Sequence, residues 1–275
     1  MQIFQSIDVP VGNSYVKQPI PQRELSEGDP FLLLHHAELK KIEPGKGFYV
    51  GPHPHRGFQP ITFVFDGEVH HKDSLGNDSL VKTNGVQWIN AGSGLMHSEG
   101  MSPAFLENGG DFEMIQLWVN LKSEFKMSDP SYMGVDADEM GRADTTKTEI
   151  YVVSGSMNQI NGPVQNHSNV TSAMVKSQGN DTLELHFSGN TKIVYVLSGN
   201  ITMENTKVDK CELIKIDNQD SLKIQIHEPS RLLILGGDKI QEPIRAYGPF
   251  VMNTQSEIVQ ALNDAHSGKM GVLTE

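Results

Sequence analysis

The chain reads as all-β, built from two domains of similar design and closed by one helix. Three observations predict this. Short apolar runs rich in β-branched and aromatic residues recur between turn residues along most of the 275 positions. The stretch FVFDGEV (63–69) is echoed by YVLSGNI (195–201), each an apolar strand, a tight turn with Gly and a second strand, a degenerate internal repeat. Helical periodicity with end signals is evident only near the C-terminus.

Taken in order, ITFVFDG (61–67) reads as a strand that breaks at Asp66-Gly67, a hairpin signal. EVHHKD follows, with SLGNDS as the next turn. VQWIN (86–90) is a further apolar run closed by AGSG, and FEMIQLWVNL (112–121) reads as a long buried strand. The block 126–149 is polar, acidic and without periodicity, which marks the linker or an inter-domain loop. Strands resume with IYVVSG, LELHFSG, KIVYVLSGNITM and LKIQIHEPSRLLILGG. In NTQSEIVQALNDAHSG, Thr254 and Glu257 form a capping box. Ile258, Ala261, Leu262 and Ala265 make one apolar stripe, Gly268 sits at C′, and His266 is expected to be exposed.

Length favours two domains over one core. The formal charge of −12, from 34 acids and 22 bases, argues against direct binding of nucleic acid. No apolar run is long enough to span a bilayer, so no membrane partner is expected. The opening MQIFQSIDVPVG lacks the pattern of a signal peptide, and a single cysteine, Cys211, suits a reducing compartment; both point to the cytoplasm. Cys211 reads as a small buried hydrophobe.

Chemistry concentrates in the histidines, eleven in all. In GFYVGPHPHRGF (47–58), His53 and His55 are one residue apart and share a face if the backbone is extended. Pro54 places that strand at an edge or a bulge. Alone, such a pair is more often structural or superficial. A second pair, His97 and Glu99 in AGSGLMHSEG (91–100), is flanked by Gly92, Gly94 and Gly100 and tips the balance. If the two segments face each other, three neutral imidazoles and a carboxylate surround one point, a donor set for a divalent transition metal with open coordination positions.

These residues resemble the pirin family of the cupin superfamily. Gly47, His53 and His55 fit the first cupin motif; GVQWINAGSGLMHSE fits the second, with His97, and Glu99 stands where pirins carry a glutamate. DSLGN (73–77), LWVNL (117–121), KMSDPSY (126–132) and YGPFVMNT (247–254) extend the likeness over nearly the whole chain. The resemblance implies a bicupin: two stacked antiparallel β-barrels, jelly-roll-like. Here they would be a metal-binding barrel over 1–132 and a metal-free barrel over 133–275, ending in a helix at about 254–267.

It further implies His53, His55, His97 and Glu99 as ligands of one ion, Fe(II) before Zn, Ni, Cu, Mn or Co, with a flavonol such as quercetin and dioxygen as substrates. Glu99 is then the catalytic base. Phe48, Phe58, Met96 and Met114 are candidates for the substrate pocket, and equally for ordinary core. The rival readings are an iron-dependent redox sensor that binds a protein partner, in keeping with a eukaryotic pirin that acts as a transcription coregulator, and a zinc isomerase or hydrolase.

Several positions depart from the family pattern. Gln59 replaces a carboxylate expected to neighbour the ligands. His35, His36, His70 and His71 read as surface residues or neighbours of the site. His167, His186 and His227 are isolated, so no metal is expected in the second half.

Overall fold

The computed structural model describes residues 1–12, 14–22, 25 and 28–273. Two compact units emerge. One gathers residues 1–38 and 137–239, the other residues 39–136 and 240–275. Relative to the contiguous halves 1–132 and 133–275, the two terminal segments have changed places: the N-terminal strands accompany the later half, and the C-terminal helix accompanies the earlier one.

The first unit opens with β1 (Gln2–Gln5), β2 (Ile7–Val11), β3 (Ser14–Ile20) and most of β4 (Phe31–Ile42). The second unit then runs through β5 (Tyr49–His55), β6 (Phe58–Asp66), β7 (Glu68–Asp73), β8 (Asp78–Lys82), β9 (Val86–Asn90) and β10 (Leu95–Gly100). It continues with α1 (Pro103–Asn108), β11 (Gly110–Asn120) and β12 (Ser131–Val135). Back in the first unit lie β13 (Gly141–Arg142), β14 (Thr148–Ser154), β15 (Ser156–Met157), β16 (Ile160–Asn161), β17 (Thr171–Ser177) and β18 (Asp181–His186). They are followed by β19 (Thr191–Ser198), β20 (Ile201–Met203), β21 (Thr206–Val208), β22 (Glu212–Asp217), β23 (Ser221–Ile226) and β24 (Ser230–Gly237). β25 (Arg245–Tyr247), β26 (Phe250–Met252) and α2 (Gln255–His266) complete the second unit.

Within each unit the strand pairings of the described residues are antiparallel apart from isolated bridges. The second unit has one sheet ordered β5-β10-β7-β8 and another in which β12-β9-β6-β11 are neighbours. The first unit repeats this plan with β18-β23-β20-β21 and with β1-β22-β19-β24-β17-β14-β13. β6 is buried from Phe58 to Phe65 without alternation, as befits a strand covered on both faces. The core of the first unit is contiguous and apolar, from Ile150 and Leu183 through Val194 and Ile224 to Ile234.

Asp66-Gly67 does not close a hairpin. β6 pairs with β9 and β11, whereas β7 pairs with β8 and β10, so the turn is a corner where the chain leaves one sheet for the other. Gly199 serves the same corner between β19 and β20. Both glycines have positive φ, +84° and +78°, and both abut the start of the strand that follows in the sheet. A Cβ would lie 2.8 Å from the Asp111 carbonyl at Gly67 and 2.1 Å from Ser230 Oγ at Gly199.

The block 126–149 holds more structure than a linker. β12 pairs with β9, Tyr132 opposite Ile89, and the boundary between the units falls after Asp136. Its mostly exposed residues hide the strand from a hydropathy reading. The short helix α1 has no periodic signal in the sequence. Ser102 caps it, accepting from Phe105 N at 3.0 Å, with Pro103 at the first helical position. α2 matches expectation: Thr254 and Glu257 form the capping box, Ile258 and Ala261 are buried, and His266 is exposed. Cys211 is buried, and burial pushes its thiol up to about 11. Among the described residues, no helix is long and apolar enough to cross a membrane.

Candidate metal centre

β5 lies at the edge of its sheet, as Pro54 requires, and among the described residues its one strand partner is β10. The register sets His53 opposite His97 and His55 opposite Leu95. Side chains at His53, His55 and His97 therefore share one face. Between His97 and Glu99 the register shifts, Gly51 and Pro52 of β5 standing against Ser98 alone.

The three imidazoles converge. Their potential ligand atoms lie within 4.8 Å of one another, and ring centroids are 4.2 Å apart for His53–His97 and 4.8 Å for the other two pairs. Backbone carbonyls fix two tautomers: His53 Nδ1 donates to Gly51 O at 2.9 Å and His55 Nδ1 to Pro249 O at 3.4 Å. Nε2 of each is left as a lone-pair donor. His97 is buried with neither ring nitrogen hydrogen-bonded. Burial, followed by the charge of His53, lowers His55 to about 3; burial and the neighbouring imidazoles hold His97 well below its ordinary value. Imidazoles with unused lone pairs, two of the three buried, fit a divalent transition metal. An orphaned imidazole would otherwise carry an uncompensated desolvation cost.

Glu99 stands outside the group of three. It is buried, and both oxygens accept from side-chain amides: Oε1 from Gln116 Nε2 at 2.7 Å and Oε2 from Gln87 Nε2 at 3.0 Å. The Gln87 amide is shared with Thr62 Oγ1, also at 3.0 Å.

His71 is the neighbour that sequence reasoning undervalues. It is fully buried, pairs across the ladder with Glu99, and lies 5.4 Å from the His97 ring. Its Nε2 meets Asp73 Oδ2 at 3.1 Å and its ring stacks on Tyr132 at 4.2 Å, leaving Nδ1 unpartnered. Burial alone would raise Asp73, but hydrogen bonds from His71 and Asn77 outweigh it and hold the carboxyl below its usual range. His70 points outward to Asp78 at 2.6 Å. His35 and His36 belong to the first unit, where His35 meets Gln18 and the buried His36 meets Tyr195 at 3.0 Å.

The pocket candidates divide. Phe58 is fully buried, 5.1 Å from His55 and 4.3 Å from Trp118. Met114 is half-buried and alternates onto the same face of β11 as Gln116 and Trp118. Phe48 packs on Phe112 at 5.4 Å. Met96 is opposite Pro54, so alternation turns it to the face away from the imidazoles. Gln59 is opposite Val119, and alternation places it on the other face of β6 from Phe58 and Thr62. Trp118, Gln87, Gln116 and Thr62 are site residues beyond the sequence expectation. The parity of QLW on β11 is the available signal, once Met114 is a candidate.

A model of the family described as Pirin matches residues 13–119, and one described as Pirin C-terminal cupin domain matches residues 170–271. This chain belongs to the pirin family. A Pseudomonas aeruginosa protein named "Putative quercetin 2,3-dioxygenase" is 37% identical over 246 residues, covering 87% of this pirin and 86% of that protein. Human Pirin is 30% identical over 264 residues, covering 93% and 88%. The crystal structure of quercetin 2,3-dioxygenase from Acinetobacter baumannii superposes with a TM-score of 0.92 at 34% identity, covering 100% of this chain and 98% of that one. The bicupin fold expected from the motifs is thereby established, with antiparallel sheets and the C-terminal helix in place.

Proposed function

We propose that this pirin is a metal-dependent dioxygenase that cleaves a flavonol such as quercetin with dioxygen, using Fe(II) held by His53, His55 and His97 with Glu99 completing the set. The observation that carries this reading is the convergence of three imidazoles whose remaining nitrogens are either fixed by carbonyls or unpartnered. Relatives named as quercetin 2,3-dioxygenases supply the substrate class.

When bound, such an ion supplies Lewis acidity and, for iron, redox chemistry with dioxygen. The residues do the rest. Each carboxylate oxygen of Glu99 has two lone pairs, so the amides of Gln116 and Gln87 orient it without exhausting it. Oε2 is the more weakly held oxygen, since its donor is shared with Thr62, and it receives the proton of the flavonol hydroxyl. Trp118 and Met114 offer the flat ring a partly open apolar surface, and Phe58 backs His55 and Trp118.

Anaerobic loading with Fe(II), followed by oxygen and quercetin, is expected to bleach the flavonol absorbance, and Glu99→Ala to stop it. Iron-loaded protein that leaves quercetin intact across pH 6–8 would refute the reading.

A further inference from the structure

The metal-bearing strands are gripped by the far end of the chain. Pro249 O, which accepts the His55 Nδ1 proton, lies 194 residues away in sequence. Arg56 N donates to the same carbonyl at 3.4 Å, and Val251 N donates to Arg56 O at 3.0 Å. The Arg56 side chain is 5% exposed. Its Nε donates to Ser93 O at 2.6 Å, in the turn that leads into β10 and His97, and its Nη1 donates to Asp264 Oδ2 on α2 at 2.9 Å. Asp264 Oδ1 accepts from Gln260 and Lys269, each at 2.8 Å. Lys126, fully buried, donates to Gly57 O at 2.7 Å and to Val251 O at 3.1 Å. A Cβ at Gly57 would lie 2.1 Å from Val251 O, so the strap lies directly on the backbone after His55.

We propose that Arg56 and Asp264 are positioning residues of the metal centre, and that the strap 249–264 sets its affinity. The inference rests on the metal site read above. The bond from His55 to Pro249 is long and would not hold the imidazole alone. One guanidinium joins three pieces: the strand carrying His55, the turn before His97, and the helix anchoring Pro249. Its planar fork serves Ser93 and Asp264 together, which an ammonium cannot do with the same geometry. Releasing the fork frees the carbonyl that selects the His55 tautomer, and with it the direction of Nε2.

The test uses full-length protein stripped of metal and Co(II) as the probe. Affinity is read by competition with a chelator, and coordination by the visible ligand-field spectrum. Asp264→Asn and Arg56→Lys are expected to weaken Co(II) binding roughly 10–100-fold and to alter the spectrum at temperatures where both variants are folded. Ile115→Ala, a cavity on the opposite face of β11 from Gln116, is the control: it should lower the melting temperature and leave Co(II) affinity within about twofold. If Asp264→Asn does not fold, Arg56→Lys carries the test. Latch variants that bind Co(II) as wild type does, or a control that loses as much affinity as they do, overturn the proposal and leave the centre standing. Wild-type protein that takes up no Co(II) overturns the centre itself.

Discussion

The strand order β5-β10-β7-β8 of one unit recurs in the other as β18-β23-β20-β21, yet equivalent ladders carry different chemistry. β5 and β10 set His53 opposite His97; β18 and β23 set Leu183 opposite Ile224, with Leu185 opposite Leu222 beside them. In the first unit these residues join a continuous apolar core. In the second the same faces hold imidazoles, a carboxylate and amides. One scaffold thus tolerates either filling, and the polar filling leaves His97 and His71 Nδ1 unsatisfied. Such sites give up stability for function.

The largest effect should come from exchanging the two fillings. His97→Leu is expected to reduce metal affinity by more than the roughly 10–100-fold that losing an orienting neighbour costs. The same change should stabilise the metal-free protein by about 1–3 kcal/mol, because it removes two buried nitrogens that lack partners. Chelator competition reads the first and denaturant unfolding of metal-free protein reads the second. A less stable metal-free variant would break the comparison, because the imidazole would then be satisfied in some way that the orphaned nitrogens do not indicate.

Next in size, Leu183→Ala in the apolar barrel should cost about 2–5 kcal/mol through the cavity it leaves, with metal affinity unchanged. The corner glycines sharpen the likeness of the two units. Gly67→Ala and Gly199→Ala each force an L-residue to positive φ, roughly 1–2 kcal/mol, and each adds a clash. Gly199→Ala should be the more damaging by thermal melting, since its Cβ also comes within 2.6 Å of the Pro229 carbonyl. Equal losses would mean that the strap of chain around Ser230 yields.

The triad is legible because the spacing His-x-His, read with strand alternation, fixes a shared face, and because the second pair sits in a glycine-rich turn. Alternation also decides where Met96 points: it directly precedes His97 and so must face away. What could not be read depends on non-local pairing. β1 joins the first unit by pairing Gln2 with Lys215, and no local signal announces a partner so distant. The pair Asp66-Gly67 looks the same whether it closes a hairpin or turns a corner; the strands it joins decide. The burial of His71 follows from its register with Glu99, and the latch from an arginine whose partner lies 208 residues on. The capping box of α2, by contrast, is wholly local, and its residues are legible one by one.

The smallest effect concerns the histidines of the first unit, where the described residues hold no such cluster. His35 on β4 has Nε2 satisfied by Gln18 Oε1 at 2.7 Å, and burial lowers it to about 4. Between pH 4 and 6.5 the unfolded chain binds a proton at this residue that the folded protein refuses. Stability therefore rises with pH across that window and is flat, for this group, above it. His35→Gln should flatten the rise, read as the denaturant midpoint against pH. The difference between wild type and variant should be the same with and without added metal, because this imidazole takes no part in the converging set. A difference that vanishes on metal addition would tie His35 to the centre and erase the distinction between a unit that buries single satisfied imidazoles and one that gathers unsatisfied ones.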